Sequence, residues 1–167
     1  MSDAGGALAF ELTCLCFAVR DWFTPPERVL QEAGLAPGDQ VLDYACGPGS
    51  YALAAARLVG KEGHVFAADC SHRAISRLRT RAGRKGQLNV TLILTGCATG
   101  LESHSIDVAL LYDAYHDLAE PQRVLKELHR VLKPGGKLSF SDHHLPLPEI
   151  LKQVTGSGLF SFLAEGR

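Results

Sequence analysis

The stretch Gln40-Val-Leu-Asp-Tyr-Ala-Cys-Gly-Pro-Gly-Ser-Tyr51 constrains the fold of this chain more than any other. It reads as a short apolar strand with an acid at its carboxyl end, a glycine turn, and a helix starting near Ser50. Gly47 and Gly49 flank Pro48, so the backbone turns sharply and a ligand can lie against it, while the proline ring fixes one φ angle. Asp43, just before the turn, is placed to face a ligand in the crevice outside the strand ends. Asp69 ends the next apolar run, His64-Val-Phe-Ala-Ala-Asp69, twenty residues past Gly49. A carboxylate there accepts hydrogen bonds from both hydroxyls of a ribose.

The remainder keeps the strand–helix rhythm. Strands are predicted at 40–43, 64–69, 89–94, 106–112, 137–142 and 159–163. Helices are predicted at 50–59, from the cap Ser71 to Gly86, at 121–132 with a stop at Lys133-Pro-Gly-Gly136, and at 149–154. The nearly continuous apolar run 106–112 fits a strand buried on both faces. Such alternation argues for a doubly wound, mainly parallel α/β sheet. At 167 residues the chain fits one α/β domain over 36–167 with a helical cap over 1–35. Within the cap, 1–8 is expected to fray, and Leu12, Leu15, Cys16, Val19 and Phe23 recur at helical spacing in a helix over 10–23. Pro25-Pro26 separates it from a second helix at 26–33.

Asp43-Tyr-Ala45-Cys46-Gly47-Pro48-Gly49 resembles the first motif of class I S-adenosylmethionine-dependent methyltransferases: acid, any residue, Gly, Cys/Gly/Ser, Gly, any residue, Gly. Leu128-His-Arg-Val-Leu-Lys-Pro-Gly-Gly-Lys-Leu138 looks like the helix-turn-strand that closes the same family's central unit. The middle of the chain is most similar to the ubiquinone/menaquinone-biosynthesis-like branch. The resemblance implies a Rossmann-like fold, S-adenosyl-L-methionine as cofactor and methyl transfer to a small molecule. Carried over by position, Asp43, Tyr44 and the backbone of Ala45, Cys46, Gly47 and Gly49 hold the methionine part. Asp69 takes the ribose hydroxyls, Cys70 lies beside the adenine, and Gly96, Cys97 and Ala98 line its other face. Tyr112 and Asp113 approach the methionine end and the methyl. Ala45 replaces the usual first glycine, although alanine resists positive φ, and Cys97 stands where many members carry an aspartate. The N-terminal helices either cover the cofactor, as in that family, or simply pack on the sheet edge. The family's last antiparallel strand is missing before the end at Arg167, so either the chain is truncated or a segment or second subunit, as in a homodimer, covers the C-terminal sheet edge.

Acid–base candidates gather after strands four and five: Asp113, Tyr115 and His116, then Asp142, His143 and His144. A neutral histidine there, His116, His143 or His144, can take a proton from a nucleophile near neutral pH, or it fixes its own loop. Adjacent strand residues point to opposite faces, so at most one of His143 and His144 faces the pocket. Asp113, Asp142 and a histidine form no metal motif, and no metal is expected. Formal net charge is −1, which gives no electrostatic reason to expect nucleic acid. The basic run Arg77-Leu-Arg-Thr-Arg-Ala-Gly-Arg-Lys85 reads as a solvated helix face. No stretch suits a bilayer span or a signal peptide, and five cysteines fit a reducing cytoplasm better than a disulfide framework. Cys46, Cys70 and Cys97 read as small fillers at strand ends. Two other readings stand beside the enzyme: a non-catalytic cofactor-binding pseudoenzyme or partner subunit, and a nicotinamide dehydrogenase. The dehydrogenase is disfavoured because Asp43 would sit close to pyrophosphate.

Overall fold

The computed structural model describes the backbone of residues 3–166, and the side chains of that span except at positions 3–7, 9, 13 and 18. Strands β1 (Gln40–Tyr44), β2 (His64–Asp69), β3 (Val90–Leu94), β4 (Ile106–Tyr112) and β5 (Leu132–Ser141) form one parallel sheet in the order β3-β2-β1-β4-β5. The chain winds outward from β1 to β3, then returns to place β4 on the other side of β1. This reversal opens a crevice at the carboxyl ends of β1 and β4.

Side chains alternate across the sheet as the pleat requires. Val41, Val65, Val108 and Leu110 pack against α2 (Pro26–Glu32), α3 (Ser50–Val59) and α4 (His72–Arg84). Leu42, Ala68, Ala109 and Leu111 pack against α5 (Pro121–Val131). The alanine run Ala54–Ala56 lets α3 lie close to the sheet, and Leu30 anchors α2 in the same layer. Ser71 caps α4 by accepting the Ala74 N–H at 3.3 Å, and Pro26 and Pro121 occupy first turns where no N–H is needed. The last helix, α6 (Leu147–Thr155), follows β5.

Four features differ from the sequence reading. First, α1 (Asp3–Phe23) is helical from Asp3, where fraying was expected; Met1 and Ser2 lie outside the described residues. Second, the stripe Leu12, Leu15, Cys16, Val19 and Phe23 points away from the domain. The opposite stripe, Phe10, Cys14, Phe17 and Asp21, faces inward. The helix carries apolar residues on both sides, and its ion pairs choose between them: Glu11 with Arg77, and Arg20 with Asp113.

Third, β5 begins at Leu132, and the expected stop 133–136 is a bulge inside it. The register jumps from Ile106 opposite Leu132 to Val108 opposite Lys137. Fourth, 159–163 forms no strand. Phe160 packs into the α5 layer against His129 instead, with ring centres 5.6 Å apart, and Gly166 lies against Glu32 at the end of α2. The tail therefore passes from one face of the sheet to the other beside β5. A run of apolar residues pairs only where an edge lies in register; here burial of one phenylalanine outweighs pairing.

Candidate functional site

The loop after β1 is held in a left-handed path. Ala45, Gly47 and Gly49 have φ of 60°, 52° and 85°. A Cβ on Gly49 would come within 2.2 Å of Leu78 Cδ1, so the missing side chain lets α4 close on the loop. Alanine carries a cost of about 1–2 kcal/mol in this conformation. Ala45 persists there because the surrounding bonds fix it: the Cys46 N–H donates to the Ala68 carbonyl at 3.0 Å, and the Gly49 N–H donates to the Cys46 carbonyl at 3.0 Å.

Asp69 is the second anchor. One carboxylate oxygen accepts the Gly47 N–H and the other the Ser71 N–H, each at 2.8 Å. A carboxylate has about four acceptor sites, so Asp69 keeps room for two further donors. Asp43 is buried, with 3% exposure. Burial, and then the nearby Asp69, push its carboxyl up to about 7, against the Ala52 N–H and Arg20, which act the other way. Its Oδ2 has no partner among the described residues. A buried acceptor left open beside a glycine cradle fits a ligand that brings a donor, such as the ammonium of a methionine.

The turn that follows β3 is equally fixed. The Tyr44 hydroxyl donates to the Cys97 carbonyl at 3.3 Å. Thr95 Oγ1 donates to the Ala98 carbonyl at 2.6 Å and accepts the Cys97 N–H at 3.1 Å, which shapes the turn that carries Gly96. The Thr99 N–H and hydroxyl both donate to Glu127, at 2.8 and 2.6 Å. Arg130 and Thr99 together hold Glu127 down to about 2, in spite of partial burial. The three strand-end thiols differ in setting: Cys46 is buried, which raises its pKa, Cys70 is exposed and Cys97 is partly buried.

At the end of β4, Tyr112 packs on Tyr51 with ring centres 4.6 Å apart, and its hydroxyl bonds Ser139 Oγ at 2.7 Å. Tyr112 is thus held in the core at the end of β4. Asp113 has φ of 50°; its carboxylate accepts from the His143 ring and backbone and lies 3.6 Å from Arg20. Arg20 in turn lies over the rings of Phe17 and Tyr51, 4.7 and 4.9 Å from their centres. Neither Arg20 nor Tyr51 stood out in the sequence. A lone arginine inside an apolar helix was the available signal.

His116 lies in a 3₁₀ turn, Tyr115–Asp117, that the sequence reading did not contain. Its Nδ1 sits 3.0 and 2.9 Å from the two oxygens of Asp142, whose side chain is fully buried. Asp142 also accepts the backbone N–H groups of His116 and His144, at 3.1 and 2.9 Å. Its bond to the ring raises the His116 pKa above the usual histidine value. Burial pushes Asp142 up, but the His116 ring and the two backbone donors leave it below the ordinary carboxylate value. The His144 ring lies 4.0 Å from that of His116. Both His143 and His144 lie in a turn past β5, so strand alternation does not apply to them. Each meets a partner on the β4 side: His143 meets Asp113, and His144 meets His116.

The family model described as a methyltransferase domain matches residues 35–158. A 2-phytyl-1,4-naphtoquinone methyltransferase of Nostoc sp. is 33% identical over 122 residues, covering 72% of this chain and 53% of that protein. A ubiquinone/menaquinone biosynthesis C-methyltransferase UbiE of a Shewanella species is 30% identical over 137 residues, covering 81% and 54%. The crystal structure of a SAM dependent methyltransferase from Aquifex aeolicus superposes with a TM-score of 0.65 at 30% identity, covering 75% of this chain and 70% of that one. The chain spans about half the length of the curated relatives it matches. With its glycine loop, its 3-2-1-4-5 parallel sheet and these likenesses, the chain belongs to the methyltransferase-domain family of class I S-adenosylmethionine-dependent methyltransferases.

Proposed function

We propose that this domain binds S-adenosylmethionine across the carboxyl ends of β1, β2 and β4 and directs its methyl group to a small acceptor with a quinol-like ring. The observation that carries the reading is the open Oδ2 of buried Asp43 beside the left-handed loop. In this reading Asp43 and the loop from Tyr44 to Gly49 hold the methionine end, Asp69 the ribose, and Cys70 with Gly96, Cys97 and Ala98 flank the adenine. When bound, the cofactor supplies a sulfonium methyl that is electrophilic without further activation. The protein therefore contributes mainly alignment and exclusion of water. Tyr51, Tyr112, Phe17 and Arg20 form the wall and roof that do so.

A phenolic or carbon-acid acceptor must lose a proton as it is methylated. His116, oriented by Asp142 through Nδ1, has Nε2 to take that proton beside the exposed Asp117 carboxylate 3.4 Å away, with the His144 ring tilted against it and His143 held by Asp113. The quinol class is suggested by the names of two relatives and by the paired aromatic rings of Tyr51 and Tyr112, the first of which lies under Arg20. Free thiols in all five cysteines support a reducing, cytoplasmic setting.

Calorimetry with S-adenosylmethionine, S-adenosylhomocysteine and NAD is the first test. Binding of the first two and not the third is expected; binding of NAD alone would overturn the reading. Turnover is then measured on reduced naphthoquinones, reduced benzoquinones and arsenite. Cofactor binding with no turnover on any acceptor would favour the non-catalytic alternative.

A further inference from the structure

The outward face of α1 is the largest set of apolar side chains that the fold leaves uncovered among the described residues. Leu8, Leu12, Leu15, Val19, Trp22 and Phe23 are between 52% and 84% exposed. At about 100° of turn per residue they centre about 160° around the helix from Phe10, Cys14, Phe17 and Asp21. The stripe therefore points straight away from the domain. Scattered exposed leucines need no explanation, but six large apolar residues in one line do.

A second feature lies alongside. Between α1 and α4 runs a groove of about 680 Å³ lined by Phe10 and Glu11 on one side and by Arg73, Arg77, Arg81 and Arg84 on the other. Glu11 engages Arg77 at 2.7 and 2.8 Å, and Arg81 donates to the Pro48 carbonyl at 2.6 Å. Arg77, Arg81 and Arg84 outnumber Glu11 in the lining, which leaves the groove positive. Part of the basic run thus lines the groove beside the apolar stripe.

We propose that α1 and this groove form a docking surface for an anionic lipid bilayer. An apolar stripe ending in an aromatic pair, with cations beside it, is what an interface of acyl chains and acidic headgroups accepts. Charge selects among occupants. Pairing α1 with α1 of a second copy would bring two arginine grooves together, whereas acidic headgroups neutralise them. No described helix is long and apolar enough to cross a membrane, so the mode is lying on the surface, with no span. The inner face of α1 stays on the cofactor loop through Phe17, whose ring would lie 3.6 Å from a Cβ on Gly47, so the same helix would roof the site and face lipid. The surface stands on these observations whether or not methyl transfer does.

Trp22 is the chain's one tryptophan and reports directly on the stripe. The full chain is mixed with vesicles of phosphatidylcholine alone and of phosphatidylcholine with phosphatidylglycerol. The expected result is a blue shift of Trp22 emission, quenching by brominated acyl chains, and co-sedimentation that rises with the anionic fraction and falls with salt. Leu15→Glu and Val19→Glu should each weaken partitioning about tenfold or more, and Arg84→Glu by about tenfold on anionic vesicles, with helix content and cofactor binding kept. The wild-type quenching needs no variant to fold. Absence of any shift or quenching on anionic vesicles overturns the proposal. So does equal binding to neutral vesicles that Arg84→Glu leaves unchanged, or a lipid-free dimer that Leu15→Glu dissolves while vesicles bind nothing.

Discussion

The Asp69 carboxylate at the end of β2 holds the Gly47 N–H at 2.8 Å, across 22 residues of chain. The acid expected to take ribose hydroxyls is therefore also the clamp that shapes the glycine loop. Asp69→Ala should weaken S-adenosylmethionine binding by about 1.5–3 kcal/mol and lower the melting temperature as well, because the Gly47 and Ser71 donors lose their acceptor. Asp69→Asn keeps one acceptor oxygen and should fall between. Calorimetry beside thermal unfolding checks both parts. A folded Asp69→Ala protein with full affinity would leave Asp69 as a loop clamp only.

Ala45 offers a prediction in the other direction. Its φ of 60° costs an alanine about 1–2 kcal/mol, and glycine carries no such cost. Glycine gains back freedom in the unfolded chain, worth about 0.4–1 kcal/mol. Ala45→Gly should therefore stabilise the domain by about 0.5–1 kcal/mol in denaturant titration, while Ala45→Val should destabilise it by more than that. Loss of stability in Ala45→Gly would mean that the loop relaxes around alanine without strain.

The β1–loop–α3 unit and the acid of β2 were legible because each rests on local chemistry: glycines, a proline and a carboxylate at fixed offsets. The doubly wound, parallel class of the sheet also followed, from the alternation of strands and helices. The orientation of α1 was not legible. Leu12, Leu15 and Val19 mark one face, but Phe10, Cys14 and Phe17 mark the other, and only the distant partners Arg77 and Asp113 decide between them. The same holds at 159–163, where strand formation depends on a neighbouring edge that the residues themselves do not encode. The partner of His116 was hidden for a related reason: Asp142 lies 26 residues away, and the 3₁₀ turn that presents the ring has no sequence signature.

Asp43 predicts a pH dependence of cofactor binding. In the ligand-free protein its carboxyl lies at about 7, well above 3.8. A folded-state value raised in this way gives stability that is full below about pH 4 and is lost as the pH rises through 7. Ligand-free wild type should thus lose stability between pH 4 and 7, and Asp43→Asn should lose less. Binding of an ammonium favours the ionised form, so affinity should tighten by up to tenfold per pH unit below 7 and level off above it. Calorimetry across pH 5.5–8.5 in buffers of different ionisation enthalpy reads the released proton. A flat profile for wild type would remove Asp43 from the methionine end.

The final prediction concerns the pair His116 and Asp142. Asp142 accepts from the ring and from two backbone N–H groups, so its removal frees the imidazole and loosens the turn together. The conservative Asp142→Asn separates these effects, since an amide oxygen still accepts from one backbone donor. Asp142 raises the His116 pKa, and the ring must be neutral to take a proton. Turnover in wild type should therefore rise with pH through a value above about 6.5, the ordinary histidine midpoint. In Asp142→Asn that limb should move to lower pH while the plateau drops, because the ring is no longer fixed in one tautomer. The stability from the pair is present below about pH 6.5 and declines as the pH climbs through the raised value, so Asp142→Asn should cost more stability at pH 5.5 than at pH 8.5. His116→Ala should lower turnover by roughly 10²–10⁴-fold with cofactor affinity kept, and His143→Ala and His144→Ala by less. A merely structural pair would lower stability without moving the pH profile. If the limb stays in place in Asp142→Asn and all three histidine variants turn over normally, proton removal does not pass through this cluster.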